Sequence, residues 1–203
     1  MKKLREEVQK RMKNDPAHDY SHIMRVYKNA QKIARKEKAD TKLVLAAVLL
    51  HDMVQYKKSD RRSKFSSVQS AKLAEKILAR HGFMKKEIQM VSDAIRDHSY
   101  SRNKTPKTIV GKILQDADRL DALGAIGIAR TFSVGGSEKR PLYNNMDPFC
   151  RKRVPDDHSW TVDHFYRKLL NLEKMMHTKS AKKEAKKRTT LMRRFLDSLK
   201  KEV

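Results

Sequence analysis

The sequence predicts an all-α fold, a single bundle of about eight helices with a site at its centre. Three observations predict it. Apolar residues recur at three- and four-residue spacing in one segment after another, the period of a helix buried along one face. Six glycines and five prolines are too few for the tight turns of an all-β chain. One segment, Leu43 to Leu50, is apolar on every side, as expected of a helix surrounded by other helices.

The elements follow in order. Residues 1–13 read as a charged helix that ends at Asn14-Asp15-Pro16. Asp19 or Ser21 offers an N-cap for a second helix, in which Ile23, Val26, Ala30 and Ile33 lie on one face. Asp40-Thr41 caps the apolar helix, which runs to about Val54. Gln55 to Ser67 breaks the periodicity with five basic residues and reads as a basic loop. Val68 to about Arg80 is a helix stopped near Gly82, with His81 as its C-terminal residue. Lys85 to about His98 is another. Pro106 is suited to start the next helix, which carries Ile109, Ile113, Leu114 and the acidic cluster Asp116, Asp118 and Asp121. Thr131 to His158 is the longest irregular stretch, with room for a short hairpin at 131–145. Two apolar stripes close the chain, Phe165 to Met176 and Leu191 to Leu199.

Composition bounds the function. Lys plus Arg is 48 against 24 for Asp plus Glu, a formal charge of +24. That excess favours an anionic partner without naming one. Residues 179–203 form a basic tail with a net charge of +7, but the rest of the excess is spread along the chain. Aromatic residues are only 6% and do not alternate with the basic runs, which disfavours nucleic-acid stacking. No apolar run approaches the ~20 residues of a membrane span. The first residues lack a signal-peptide core, so the expected location is cytoplasmic. The single cysteine, Cys150, excludes an intrachain disulfide and a zinc ribbon and has no motif that would make it a nucleophile.

The chemistry lies in histidines and aspartates at the ends of buried helices. His22 is in the first turn of the second helix, His51-Asp52 ends the most apolar helix, and Asp118 has hydrophobic neighbours. A buried carboxylate costs several kcal/mol unless it is paired or bound to a cation. Adjacent helical residues point about 100° apart, so His51 and Asp52 reach one point only where the helix ends. One divalent metal held there could collect a nitrogen and an oxygen from that pair, a second imidazole from His22 and a second carboxylate from Asp118. Two imidazoles and two carboxylates suit Mn²⁺, Fe²⁺, Mg²⁺, Co²⁺ or Ni²⁺ better than a structural zinc.

These residues carry a resemblance. The ordered segments His18-Asp19-Tyr20-Ser21-His22, Leu49-Leu50-His51-Asp52 and Asp116-Ala117-Asp118-Arg119-Leu120-Asp121 resemble the H…HD…D signature of the HD-domain metal-dependent phosphohydrolase superfamily. The match to its small bacterial and archaeal hydrolases extends through Gly124–Phe132 and His164–Leu170. Residues 1–203 therefore read as one HD-type domain, with helices 160–203 packed on the core. The resemblance implies His22, His51, Asp52 and Asp118 as metal ligands, because Asp118 precedes the Arg-Leu pair. Asp116 and Asp121 then cap or support. It implies a hydrolase for phosphoesters or phosphoanhydrides of a small phosphorylated substrate, above all a nucleotide.

Attack on phosphorus needs cations near the non-bridging oxygens. Arg25, one turn after His22, and Lys57, Lys58 and Arg62, just beyond the HD pair, are the expected phosphate contacts. One departure stands out. Many superfamily members carry a carboxylate about four residues after the HD histidine, and here that residue is Gln55. Asp52 then serves both metal and water, or His98 or Asp60 assists, or catalysis is weak. His98, in Asp97-His98-Ser99, resembles a recurrent family position near the site and is assigned a catalytic role with Asp52. The competing expectations are a silent nucleotide-binding HD fold and a nucleic-acid-binding protein. Oligomeric state is not legible in the chain.

Overall fold

The computed structural model describes residues 1–11, 20–56 and 60–203. Among them the chain is all-α: nine α-helices, three short 3-10 helices and no strand. No helix among the described residues is long and apolar enough to cross a membrane. The residues group into two compact units, Met1–Asp118 and Arg119–Val203, divided within one helix.

The first unit is built around α3 (Thr41–Leu50). Every residue from Leu43 to Leu50 is buried, as the all-round apolar pattern requires. Each fully buried leucine contributes roughly 1.5–3 kcal/mol. Asp40 caps the helix, its Oδ1 accepting from Leu43 N at 3.1 Å, a contact worth about 1 kcal/mol. Packed on α3 are α1 (Lys2–Arg11), which buries only Leu4 and Val8, α2 (Tyr20–Lys36) and α5 (Lys85–Asp97). α4 (Ser66–Arg80) packs against α5 and ends at His81. Gly82 follows with φ +73°, the left-handed conformation that glycine adopts without steric cost. His81 Nε2 lies 2.8 Å from Glu7 Oε2, joining α4 to α1. α6 (Ile109–Asp121) closes this unit as far as Asp118.

Several elements differ from the sequence expectation. α3 stops at Leu50, with His51 as its C-cap, rather than running to Val54. The basic loop contains a 3-10 helix, Arg61–Phe65, capped by Asp60 and continuing into α4. α6 begins at Ile109 rather than at Pro106, because Thr108 Oγ1 accepts from Gly111 N at 3.2 Å. Ser21 lies inside the first turn of α2. Asp19, the alternative cap, lies outside the described residues.

The second unit contains α7 (Gly124–Ser137), α8 (Asp163–Arg167), the 3-10 helix Leu169–Met175 and α9 (Lys179–Leu199). The buried Phe165 meets the half-buried Phe132 and Phe195 there, with the three ring centroids 5.7–6.1 Å apart. The hairpin at 131–145 does not form: residues 131–137 belong to α7. Gly135 is there because of packing, not turning. A Cβ at that position would stand 2.3 Å from Thr161 Oγ1. The Phe165–Met176 stripe is buried as expected but is split between α8 and a 3-10 helix.

Candidate metal centre

The first unit gathers five titratable side chains from four helix ends. His22 comes from the first turn of α2, His51 from the C-cap of α3, Asp52 from the next residue, His98 from the C-cap of α5, and Asp118 from α6. His22 and His51 are each 1% exposed and His98 7%. The ending of α3 at Leu50 lets two adjacent residues face one point, since the chain leaves helical geometry immediately after them.

The geometry is one of convergence without hydrogen bonding. Asp118 Oδ1 lies 3.6 Å from His22 Nε2 and 3.9 Å from His51 Nε2. Asp52 Oδ2 lies 3.8 Å from His22 Nε2 and 3.5 Å from His51 Nε2. These separations are at or beyond the limit of a hydrogen bond. Asp52 turns its other oxygen, Oδ1, toward His98 Nε2 at 3.6 Å. The donor atoms of His22, His51 and Asp118 lie within 4.8 Å of one another, as do those of His51, Asp52 and His98.

The backbone sets the tautomers. His51 Nδ1 lies 2.7 Å from the Val48 carbonyl oxygen, and His98 Nδ1 lies 2.6 Å from that of Ile95. Only a protonated Nδ1 can donate to a carbonyl, so in the neutral ring the lone pair sits on Nε2, aimed into the cluster. The same device serves both histidines, because last-turn carbonyls lack intrahelical donors. His51 Nε2 is fully buried and has no hydrogen-bond partner among the described residues. Burial pushes the His51 pKa down, and the pull of Asp52 does not overcome it. A neutral imidazole with a buried, orphaned lone pair beside two carboxylates is a donor set that fits a divalent cation.

The carboxylates respond in the opposite direction. Burial opposes ionisation of Asp52, but His51 and then His98 outweigh it and hold the acid well below its usual range. Asp118 is lowered in the same way, with burial outweighed by His51 and His22. Burial also opposes the charge on His98, but its interaction with Asp52 prevails and raises its pKa.

Of the three clustered aspartates, only Asp118 reaches this point. Asp116 is fully buried outside the cluster, and Asp121 pairs with Arg130 at 2.9 Å. Arg25 is half-buried on α2, one turn from His22. Lys57 and Lys58 lie outside the described residues. Arg62 is exposed and already matched: Nη2 donates to Asp60 Oδ2 at 2.7 Å, and its guanidinium lies 4.7 Å from the Tyr56 ring centroid. Asp60 is committed to that pair and to Arg62 N at 2.8 Å. Gln55 is exposed. Cys150 is not activated either: burial and the nearby Asp163 carboxylate push its thiol up to about 12.

Two supports had no sequence signal beyond residue type. Ser70 of α4 grips the segment after Asp52, its Oγ accepting from Val54 N at 3.0 Å and lying 3.3 Å from Val54 O. Gln115 of α6 donates to the carbonyls of Asp97 at 2.9 Å and Lys104 at 2.8 Å, bracing the chain around His98.

Comparison with known proteins converges on one family. The HD-domain family model matches residues 19–123. Protein YpgQ of Bacillus subtilis is 36% identical over 191 residues, covering 92% of this chain and 84% of its own. Its crystal structure in complex with ADP superimposes with a TM-score of 0.77 at 33% identity, covering 100% of this chain and 94% of that one. An HD-superfamily hydrolase from Bacillus thuringiensis gives a TM-score of 0.78 at 33% identity, covering 99% of this chain and 95% of that one. A predicted HD-superfamily hydrolase from an uncultured Thermotogales bacterium gives 0.68 at 31%, covering 100% and 92%.

Proposed function

The chain belongs to the HD-domain hydrolase superfamily, and from that premise we propose that it is a phosphohydrolase that cleaves a phosphoester or phosphoanhydride of a nucleotide with water. The observation that carries this reading is the meeting of two imidazole nitrogens and two carboxylate oxygens at separations of 3.5–3.9 Å. His22, His51, Asp52 and Asp118 are the residues that would hold a divalent metal. Such an ion supplies Lewis acidity toward a phosphoryl oxygen and makes water a stronger acid.

The chain's own residues supply the rest. The Val48 carbonyl holds His51 in the tautomer that ligates, so no proton has to leave its Nε2. Asp52 divides its two oxygens between the ligand pair and His98. That division gives His98 access to a proton at the edge of the centre, the position a general acid or base must occupy. Arg25, and Lys57 and Lys58 beyond Asp52, are the cations proposed for the phosphate oxygens. Arg62 is the weakest of that set, because Asp60 already neutralises it. The nucleotide assignment is supported by the binding of ADP to YpgQ.

The test begins with protein stripped by a chelator and reloaded with Mn²⁺. It should release phosphate or pyrophosphate from some member of a nucleotide panel, and Asp118→Ala should lose both metal and turnover. Full activity in Asp118→Ala would overturn the ligand assignment. Metal occupancy without turnover on any nucleotide would favour a silent, nucleotide-binding HD fold, the reading that Gln55 supports.

A further inference from the structure

The basic tail of the sequence is a helix with its charge sorted to one side. Along α9 the buried residues Ala181, Ala185, Thr189, Met192 and Leu196 form one stripe. At about 100° per residue, Lys183, Lys187 and Arg194 fall opposite that stripe, and Lys182, Arg193, Lys186 and Lys179 fill the flank between them and the stripe. These seven cations occupy an arc of about 140° and run about 22 Å along the axis. All seven are exposed, and none has an ion-pair partner among the described residues. The acids of α9 are engaged elsewhere: Glu184 with Arg188 at 2.9 Å and Asp197 with Lys200 at 3.0 Å.

We infer that this face of α9 is a docking surface for the phosphate backbone of a double-stranded nucleic acid. A duplex presents about one charge per 1.7 Å of axis, a continuous anionic lattice that a broad band of cations can lie against. The arc holds no aromatic residue, so it has no platform for stacking the bases of a single strand. Its apolar stripe is buried, and the exposed Leu191 falls outside the arc, so the arc itself has no apolar residue to insert below lipid headgroups. Contacts of this kind position a protein without reading sequence. The inference is independent of the hydrolytic reading and rests on a different unit of the chain.

The experiment measures binding of the full chain to a fluorescent mixed-sequence 24-base-pair duplex, as DNA and as RNA, across a salt series. The variant Lys182→Gln, Lys183→Gln, Lys186→Gln and Lys187→Gln should bind at least about tenfold more weakly, and its logarithmic salt slope should fall by about 3. The same four positions changed to Arg should keep the slope. A control with Lys2, Lys3, Arg5 and Lys10 of α1 changed to Gln should bind within about twofold of the parent. Equal loss in the control would show that only overall charge matters and would overturn the assignment. So would tighter binding to single strands, or to phosphatidylglycerol vesicles, than to the duplex.

Discussion

His98 stands 3.6 Å from Asp52, Nε2 to Oδ1, although the two residues lie 46 positions apart in the chain. Asp52 faces two histidines with one oxygen and the third with the other. His98→Gln should therefore separate turnover from metal binding. Metal content should stay near that of the parent, while kcat should fall by about 10² or more. Asp52→Ala should lose both. Metal analysis alongside pyrophosphate release decides the point, and a His98→Gln enzyme within a factor of two of the parent in kcat would reduce His98 to a packing role.

Ser70 is fully buried and binds the backbone of Val54 through both its N–H and C=O. Ser70→Ala leaves that N–H without its acceptor inside the protein, a loss of about 1–3 kcal/mol. Denaturant unfolding should show the loss. Metal affinity should also fall, because the segment just after Asp52 loses its anchor. Unchanged stability and unchanged affinity together would show that water replaces the hydroxyl without consequence.

How far the sequence reached depended on the range of the interaction involved. α3 was legible because Leu43–Leu50 is apolar all round and Asp40 is a strong cap, both local properties. The HD pair was legible because two adjacent polar residues closing such a helix need a partner. The carbonyls of Val48 and Ile95 were not, since backbone groups leave no mark on residue type. Arg62 read as a free cation because its pairing with Asp60 depends on the 3-10 turn that Asp60 itself caps. The split of the Phe165–Met176 stripe leaves no mark on the sequence, because the three-residue step from Leu169 to Leu172 fits a 3-10 helix as well as an α-helix.

Where a hairpin had room at 131–145, α7 runs to Ser137 and shows what Gly135 does there. Thr161 presses on it so closely that an added Cβ would meet Oγ1 at 2.3 Å and Cγ2 at 2.7 Å. Gly135→Ala should destabilise the protein by roughly 1–3 kcal/mol, despite the better helix propensity of alanine. Thr161→Gly in the same chain should recover part of the loss. A thermal melt of the single and double variants settles it: a Gly135→Ala protein as stable as the parent would mean that the contact relaxes at no cost.

Asp157 supplies the pH dependence that can be tested away from the metal centre. Its Oδ2 lies 2.7 Å from His164 Nδ1 and its Oδ1 3.0 Å from Arg167 Nε. Burial opposes its ionisation, but His164 and then Arg167 outweigh burial and lower its pKa. A carboxylate lowered on folding stabilises the native state above its unfolded pKa of about 3.9, and that stability is lost as pH falls through the folded value. Asp157→Asn should therefore be less stable than the parent at pH 7, by about 1–3 kcal/mol. The gap should narrow steadily as pH drops from about 5 toward 2, because the parent's carboxyl becomes as neutral as the amide. Other lowered acids, such as Glu7 and Asp147, titrate in both proteins, so the difference between the two denaturation curves isolates Asp157. A gap that stays constant from pH 7 to pH 2 would show that the side chain acts through its shape and hydrogen bonds alone.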